Sequence, residues 1–175
     1  MGRISFRALE TADFPSLQQW LSNPHIDEWW HQRLDRDGIE RKYGPRINGT
    51  EPTHVFIIEH ERLSIGWVQW HRWSDYPEHA VQLKVPPAAA GVDLAIGEVT
   101  LIGKGLGPRI IRDFVLEVIA VQSGITSVVT DVEERNGRSV RAFEKAGFTA
   151  VGLVQLNGEN VRRRLMQLSL ADVRD

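Results

Sequence analysis

The stretch Ile102-Gly103-Lys104-Gly105-Leu106-Gly107-Pro108-Arg109 decides how the rest of the chain is read. Before it, Val92 to Gly97 is apolar enough for a strand. After it, Ile110, Ile111, Phe114, Val115, Val118 and Ile119 recur as one apolar helix stripe. A glycine-rich turn from strand to helix presents backbone N–H groups at the helix N-terminus, where the dipole also favours an anion. Lys104 and Arg109 add positive charge. The spacing is neither the dinucleotide pattern G-x-G-x-x-G nor the phosphate loop G-x-x-x-x-G-K-[ST]. It predicts a cradle for a phosphate-bearing ligand over Lys104, Gly105, Leu106, Gly107, Pro108 and Arg109, with a plain strand-to-helix turn as the alternative on this segment alone.

Working outward, the N-terminal side reads as a strand at Ile4, Phe6 and Ala8, then a helix through Phe14, Leu17, Trp20 and Leu21 that stops at Asn23-Pro24. A more polar helix is expected over His31–Tyr43. Val55 to Glu59 and Leu63 to Trp70 pair around Glu61-Arg62. Trp73 to Ala90, with three prolines, reads as irregular. On the C-terminal side come a strand at Ser127–Val132, a helix at Arg135–Ala146 closed by Gly147, and two strands flanking Asn157-Gly158. The plan is α/β (α+β): one central mixed, mostly antiparallel sheet flanked by helices, in a single domain over residues 1–175.

Composition removes several classes. The 175 residues carry 21 basic and 23 acidic side chains, a net charge of −2 with no basic footprint for nucleic acid. There is no cysteine, hence no disulfide scaffold or thiol chemistry. No apolar run reaches 18 residues and the N-terminus lacks a signal-like core, so a cytoplasmic protein without membrane contact is expected. The six histidines show no metal-ligand spacing, and no metal is expected.

A second segment, Asn136-Gly-Arg-Ser139-Val-Arg-Ala-Phe143-Glu-Lys-Ala-Gly147-Phe148, lies about thirty residues after the glycine turn. Together the two resemble the cofactor and pantetheine motifs of the GNAT N-acetyltransferases, [QR]-x-x-G-x-[GA] and N-x-x-[SA]-x-x-x-[YF]-x-x-x-G-F. Ile102 departs from the first pattern, where Gln or Arg is usual. The resemblance implies the GNAT fold and acetyl-CoA as co-substrate. Its pyrophosphate would rest on the amides from Lys104 to Arg109, with Asn136 and Ser139 on the pantetheine arm.

Over nearly the whole chain the sequence is similar to the aminoglycoside 6′-N-acetyltransferases. The segment Trp20-Leu21-Ser-Asn-Pro-His25-Ile26-Asp27-Glu28-Trp29-Trp30 looks like their W-L-x-x-x-H-I-x-E-W-W, and Gly91-Val-Asp93 like their G-[IL]-D. The implied activity is acetyl transfer to the 6′-amine of these antibiotics, which confers resistance, by a monomer or homodimer. A cationic drug suits carboxylates and flat apolar surfaces. Glu78, Asp93 and Asp131, with Trp29 and Trp30, are the candidate acceptor contacts. Core packing explains the tryptophan pair equally well.

Asp93 and Glu98 are the candidate catalytic carboxylates. Asp93 interrupts the apolar run Val92, Leu94, Ile96, where a bare carboxylate needs a reason to be. A carboxylate with a pKa near 4 is a weak base for an amine near 8–10, so a relay through water is expected. Backbone N–H groups after Gly97, where the family usually has a bulge, are expected to face the oxyanion. Phe143 occupies the position where many relatives have a proton-donating Tyr. With a thiol pKa near 8.5, release without that donor costs roughly 2 kcal/mol at pH 7. Other acceptors remain open, namely a protein N-terminus, a polyamine or a siderophore precursor, as does a catalytically silent CoA-binding module.

Overall fold

Pro24 and Pro77, which read as breaks in the sequence, each open a helix. Proline at the first helical position gives up an N–H that has no partner there anyway. In the computed structural model, which describes residues 2–173, strand β1 (Ile4–Ala8) leads into α1 (Phe14–Ser22) and then α2 (Pro24–Trp30). Helix α3 (Arg36–Ile47) starts five residues later than expected because Asp35 caps it, accepting the Gly38 N–H at 2.7 Å. Strands β2 (His54–His60) and β3 (Leu63–Arg72) follow. The turn between them places Glu61 and Arg62 in the left-handed region.

The stretch expected to be irregular holds α4 (Pro77–Leu83) and the first residues of β4 (Ala89–Ile96). After the glycine turn come α5 (Leu106–Phe114), continued by a π-helical stretch Val115–Ile119, then β5 (Ser127–Glu133), α6 (Gly137–Lys145), β6 (Thr149–Gln155) and β7 (Arg162–Ser169). Asn157-Gly158 does not form a two-residue hairpin. Gln155 pairs with Arg162, so the connection is a longer loop, with Gly158 at φ +85°.

The strands run in the order β1-β2-β3-β4-β5-β7-β6. β4 and β5 are parallel at Ala89–Ser127 and Ala90–Val128, while the β1–β2, β2–β3, β5–β7 and β6–β7 pairs are antiparallel. The sheet is therefore mixed and mostly antiparallel, as expected.

The chain forms two compact units. One comprises the residues up to Trp70 with Asp93–Leu106; the other comprises His71–Val92 and the residues from Gly107 onward. The first has a core of Leu17, Trp20, Leu21, Ile39, Tyr43, Ile57 and Trp67, with Trp20 stacked on Trp67 at 6.2 Å and Trp30 tilted against it at 5.0 Å. In the second, Trp73, Leu83, Val129 and Leu165 pack together, and the Trp73 indole donates to the Val129 carbonyl at 3.0 Å. Burying such aliphatic and aromatic side chains contributes roughly 1.5–3 kcal/mol each. No helix of the described residues is long and apolar enough to cross a membrane.

Candidate active site

In the first unit, the end of β4 is clamped by the helices that precede it in sequence. The Asn23 amide donates to the Gly97 carbonyl at 3.1 Å, His25 Nε2 lies 3.0 Å from the Ile96 carbonyl, and the Trp20 indole donates to Glu98 Oε1 at 3.1 Å. A Cβ at Gly97 would lie 2.3 Å from the Trp20 ring, so only glycine fits. The Trp20–His25 motif is thus the brace of this strand end.

The Gly97 and Glu98 N–H groups both point at the Ile65 carbonyl, at 2.7 and 3.2 Å. Two residues opposing one is the mark of a bulge. It also means that the Glu98 N–H, the first of the donors after Gly97 expected to face an oxyanion, is already engaged.

Asp93 sits half-buried four residues before that bulge. Its side chain touches Gln69 of β3, whose Nε2 donates to Asp93 Oδ2 at 3.4 Å. Gln69 Oε1 in turn accepts from Arg46 Nη1 at 2.9 Å, and Arg46 is ion-paired with Glu51. Lys42, one turn earlier on α3, hydrogen-bonds Gln32. Its ammonium is pushed down to about 8, chiefly by burial and then by Arg46, against the opposing pull of Glu51 and Asp93. Tyr43 is fully buried, which pushes its phenol up to about 12. Its hydroxyl and the Trp67 indole N–H are buried without a hydrogen-bond partner.

Sequence reasoning did not single out Lys42, Arg46, Glu51 or Gln69. The one available signal was Gln69 itself, a polar residue in the otherwise apolar run Ile65–Trp70.

Of the other first-unit candidates, Trp30 packs against the core and Trp29 is half-buried beside it in sequence. Glu28 is exposed, while Asp27 pairs with Arg33 at 2.7 Å. In the glycine turn, Gly103 and Gly105 adopt φ of +78° and +76°, with open space where a Cβ would stand. Backbone conformation, not crowding, therefore demands glycine there. Lys104 between them is exposed and Leu106, which starts α5, is buried. Pro108 stands in the first turn of α5, where its missing N–H costs nothing. The segment is thus a glycine turn, exposed at residues 103–105, that opens α5.

In the second unit, Gly107 packs 3.6 Å (as a would-be Cβ) from Ala142 of α6, and Arg109 pairs with Asp113 at 3.4 Å. Asn136 caps α6, its Oδ1 accepting the Ser139 N–H at 3.1 Å. That bond leaves the Asn136 amide N–H₂ and the Ser139 hydroxyl as the groups suited to a ligand. Phe143 is buried edge-on to Phe148 at 5.0 Å, a place for a ring rather than a proton donor.

Asp131 on β5 is ion-paired with Arg163 at 3.2 Å, and Arg163 also binds Glu159 at 2.8 Å. Arg162 and Arg164 share Glu134 on the other face. β7 lies between β5 and β6, and its three arginines are all ion-paired. Glu78 is exposed on α4. Thus Asp93 and Glu98 stand in the first unit, Glu78 and Asp131 in the second. Among the described residues no group of three or more His, Asp or Glu is placed to hold a metal.

Comparison with known proteins fits this description. Residues 10–156 match the family model "Acetyltransferase (GNAT) domain". The chain is 27% identical over 154 residues to aminoglycoside N(6′)-acetyltransferase type 1 of Klebsiella pneumoniae, covering 86% of this chain and 76% of the relative. It is 22% identical over 149 residues to the lysine N-acyltransferase MbtK of Mycolicibacterium paratuberculosis, covering 85% and 66%. The fold superposes with a TM-score of 0.80, at 24% identity and 95% coverage of both chains, on the crystal structure of aminoglycoside acetyltransferase AAC(6′)-Ib with coenzyme A and kanamycin. This chain belongs to the GNAT acetyltransferase family.

Proposed function

We propose that the chain transfers the acetyl group of acetyl-CoA to the 6′-amine of aminoglycosides, and so confers resistance to them. The observation that carries this reading is Asp93: a half-buried carboxylate that, among the described residues, has its one side-chain hydrogen bond from a neutral amide and is suited to take an ammonium. The 27%-identical relative from Klebsiella pneumoniae supports the choice of acceptor.

In this reading the amides and charges from Lys104 to Arg109 hold the pyrophosphate of acetyl-CoA, and Asn136 and Ser139 meet its pantetheine arm. Acetyl-CoA supplies the thioester. Asp93 binds the incoming ammonium, orients it and passes its proton to water. Trp29 and Trp30, on the same unit as Asp93, complete the acceptor contacts. Most of the acceleration comes from holding the amine against the carbonyl. Phe143 leaves the departing sulfur to be protonated by water, at the cost of roughly 2 kcal/mol.

A second reading has its own observation. Lys42 lies within electrostatic reach of Asp93 and Arg46 is joined to it through Gln69, and positive charge there disfavours a densely cationic drug. An amine next to a carboxylate, as on a lysine-like acceptor, would find them favourable; the relative MbtK is a lysine N-acyltransferase.

One experiment separates the two. Thiol release from acetyl-CoA is followed with kanamycin, tobramycin, a drug carrying a 6′-hydroxyl, and N-hydroxylysine. Release with the 6′-amine drugs alone supports the first reading, and release with the amino acid alone supports the second. Silence with all four, in a folded protein that binds coenzyme A, overturns both.

A further inference from the structure

Asp93, on which that reading rests, is served by a chain of three side chains from three elements: Glu51 before β2, Arg46 on α3 and Gln69 on β3. We infer that Gln69 and Arg46 are positioning residues that aim the Asp93 carboxylate without neutralising it.

The hydrogen-bond chemistry fixes the order of the chain. A guanidinium only donates, so the end of Gln69 facing Arg46 must be its carbonyl oxygen. The amide nitrogen is then turned toward Asp93, an acceptor when ionised. Arg46, whose side chain is only 14% exposed, has its charge balanced by Glu51. No guanidinium or ammonium forms an ion pair with Asp93 among the described residues. If Arg46 touched Asp93 directly, the pair would compete with any incoming ammonium. The interposed amide avoids this, because it passes on orientation and only a fraction of the charge.

At 3.4 Å the last contact is long for a hydrogen bond, so it restrains rotation more than it withdraws electron density. It engages Oδ2 and leaves Oδ1 as the oxygen for the amine. Among the described residues, Lys42 and Tyr43 of α3 feel the charge of this carboxylate, and the same two groups feel Arg46 and Glu51.

The test is a double-mutant cycle on Gln69→Leu and Asp93→Asn, with kinetics in the acceptor and in acetyl-CoA. Gln69→Leu is expected to lower kcat/KM for the acceptor about five- to tenfold while the KM for acetyl-CoA holds within about twofold. In the Asp93→Asn background the same change is expected to cost less than about twofold, because the group it aims is gone. Gln69→Glu puts a carboxylate beside Asp93 and is expected to move the acidic limb of the pH profile up by about one unit.

A full five- to tenfold loss in the Asp93→Asn background, or unchanged kinetics in Gln69→Leu, overturns the positioning role. Wild-type kinetics in Asp93→Asn sinks the assignment of Asp93 itself, whatever Gln69 does. A readout without turnover keeps the two apart. The Asp93 carboxyl carbon, followed by ¹³C NMR, is expected to change its chemical shift in Gln69→Leu, and an unmoved resonance overturns the contact even if every acceptor is silent.

Discussion

Asp93 and Asp131 are both half-buried aspartates on strands, yet the side chains facing them differ in kind. Asp131 on β5 meets the guanidinium of Arg163 on the adjacent β7, a diagonal cross-strand pair at 3.2 Å that Glu159 extends. Asp93 on β4 meets the neutral amide of Gln69. An aspartate matched by a cation has its charge balanced within the fold. An aspartate whose hydrogen bond comes from a neutral amide keeps a carboxylate that an incoming ammonium can pair with. The partner, not the depth, separates a carboxylate that holds strands together from one suited to bind.

Exchange of each aspartate for asparagine tests that contrast directly. Asp93→Asn is expected to lower kcat at least about tenfold, a barrier increase of about 1.4 kcal/mol, with acetyl-CoA binding and Tm near wild type. Asp131→Asn is expected to do the reverse. It leaves Arg163 to Glu159 alone and lowers stability by about 1–2 kcal/mol in thermal or urea unfolding, with kcat within about threefold. Equal kinetic losses from the two variants would erase the distinction.

Lys42 tests the surroundings of Asp93 through pH. Its ammonium titrates at about 8 in the folded chain and near 10.5 when unfolded. Between those values the unfolded chain binds more protons, so this residue's contribution to stability improves as pH rises through that window. Below pH 8 both forms are protonated and the burial penalty is present in full. Lys42→Met is therefore expected to stabilise the protein near pH 7 by about 1 kcal/mol, with the gain fading toward pH 10.5. Unfolding midpoints across pH 7–10.5 check it; a gain independent of pH would mean packing, not charge, is responsible.

How much of this was legible in the sequence depended on the distance over which each feature is written. The β2–β3 turn, the apolar stripe of α5 and the glycine turn are local patterns and appear where the residues put them. Helices α2 and α4 were hidden because Pro24 and Pro77 act as starts as well as stops. Asp93 was visible as a charge in an apolar run. The meaning of Asp131 was not, since its partner lies thirty-two residues away. The Arg46–Gln69–Asp93 chain joins three elements, and no spacing rule encodes a contact made only by folding. Trp20 and His25 were quoted as part of a motif, but that they brace residues 96–98 follows only from the packing.

Glu98 gives the smallest expected effect and the finest test of the contrast. It stands on the exposed side of the bulge, with one oxygen taken by the Trp20 indole at 3.1 Å. Gln at that position keeps an acceptor oxygen for the indole and removes only the charge. If Glu98 serves as a brace, Glu98→Gln should leave kcat within about twofold, whereas Glu98→Leu should lower stability by about 1–2 kcal/mol by stranding the indole N–H. If instead Glu98 shares the proton with Asp93, Glu98→Gln should lose turnover as Asp93→Asn does, with no change in Tm. The two substitutions remove different things, the charge and the acceptor. Whichever of them does the damage shows whether Glu98 stands with Asp131, among the carboxylates that hold the fold, or with Asp93.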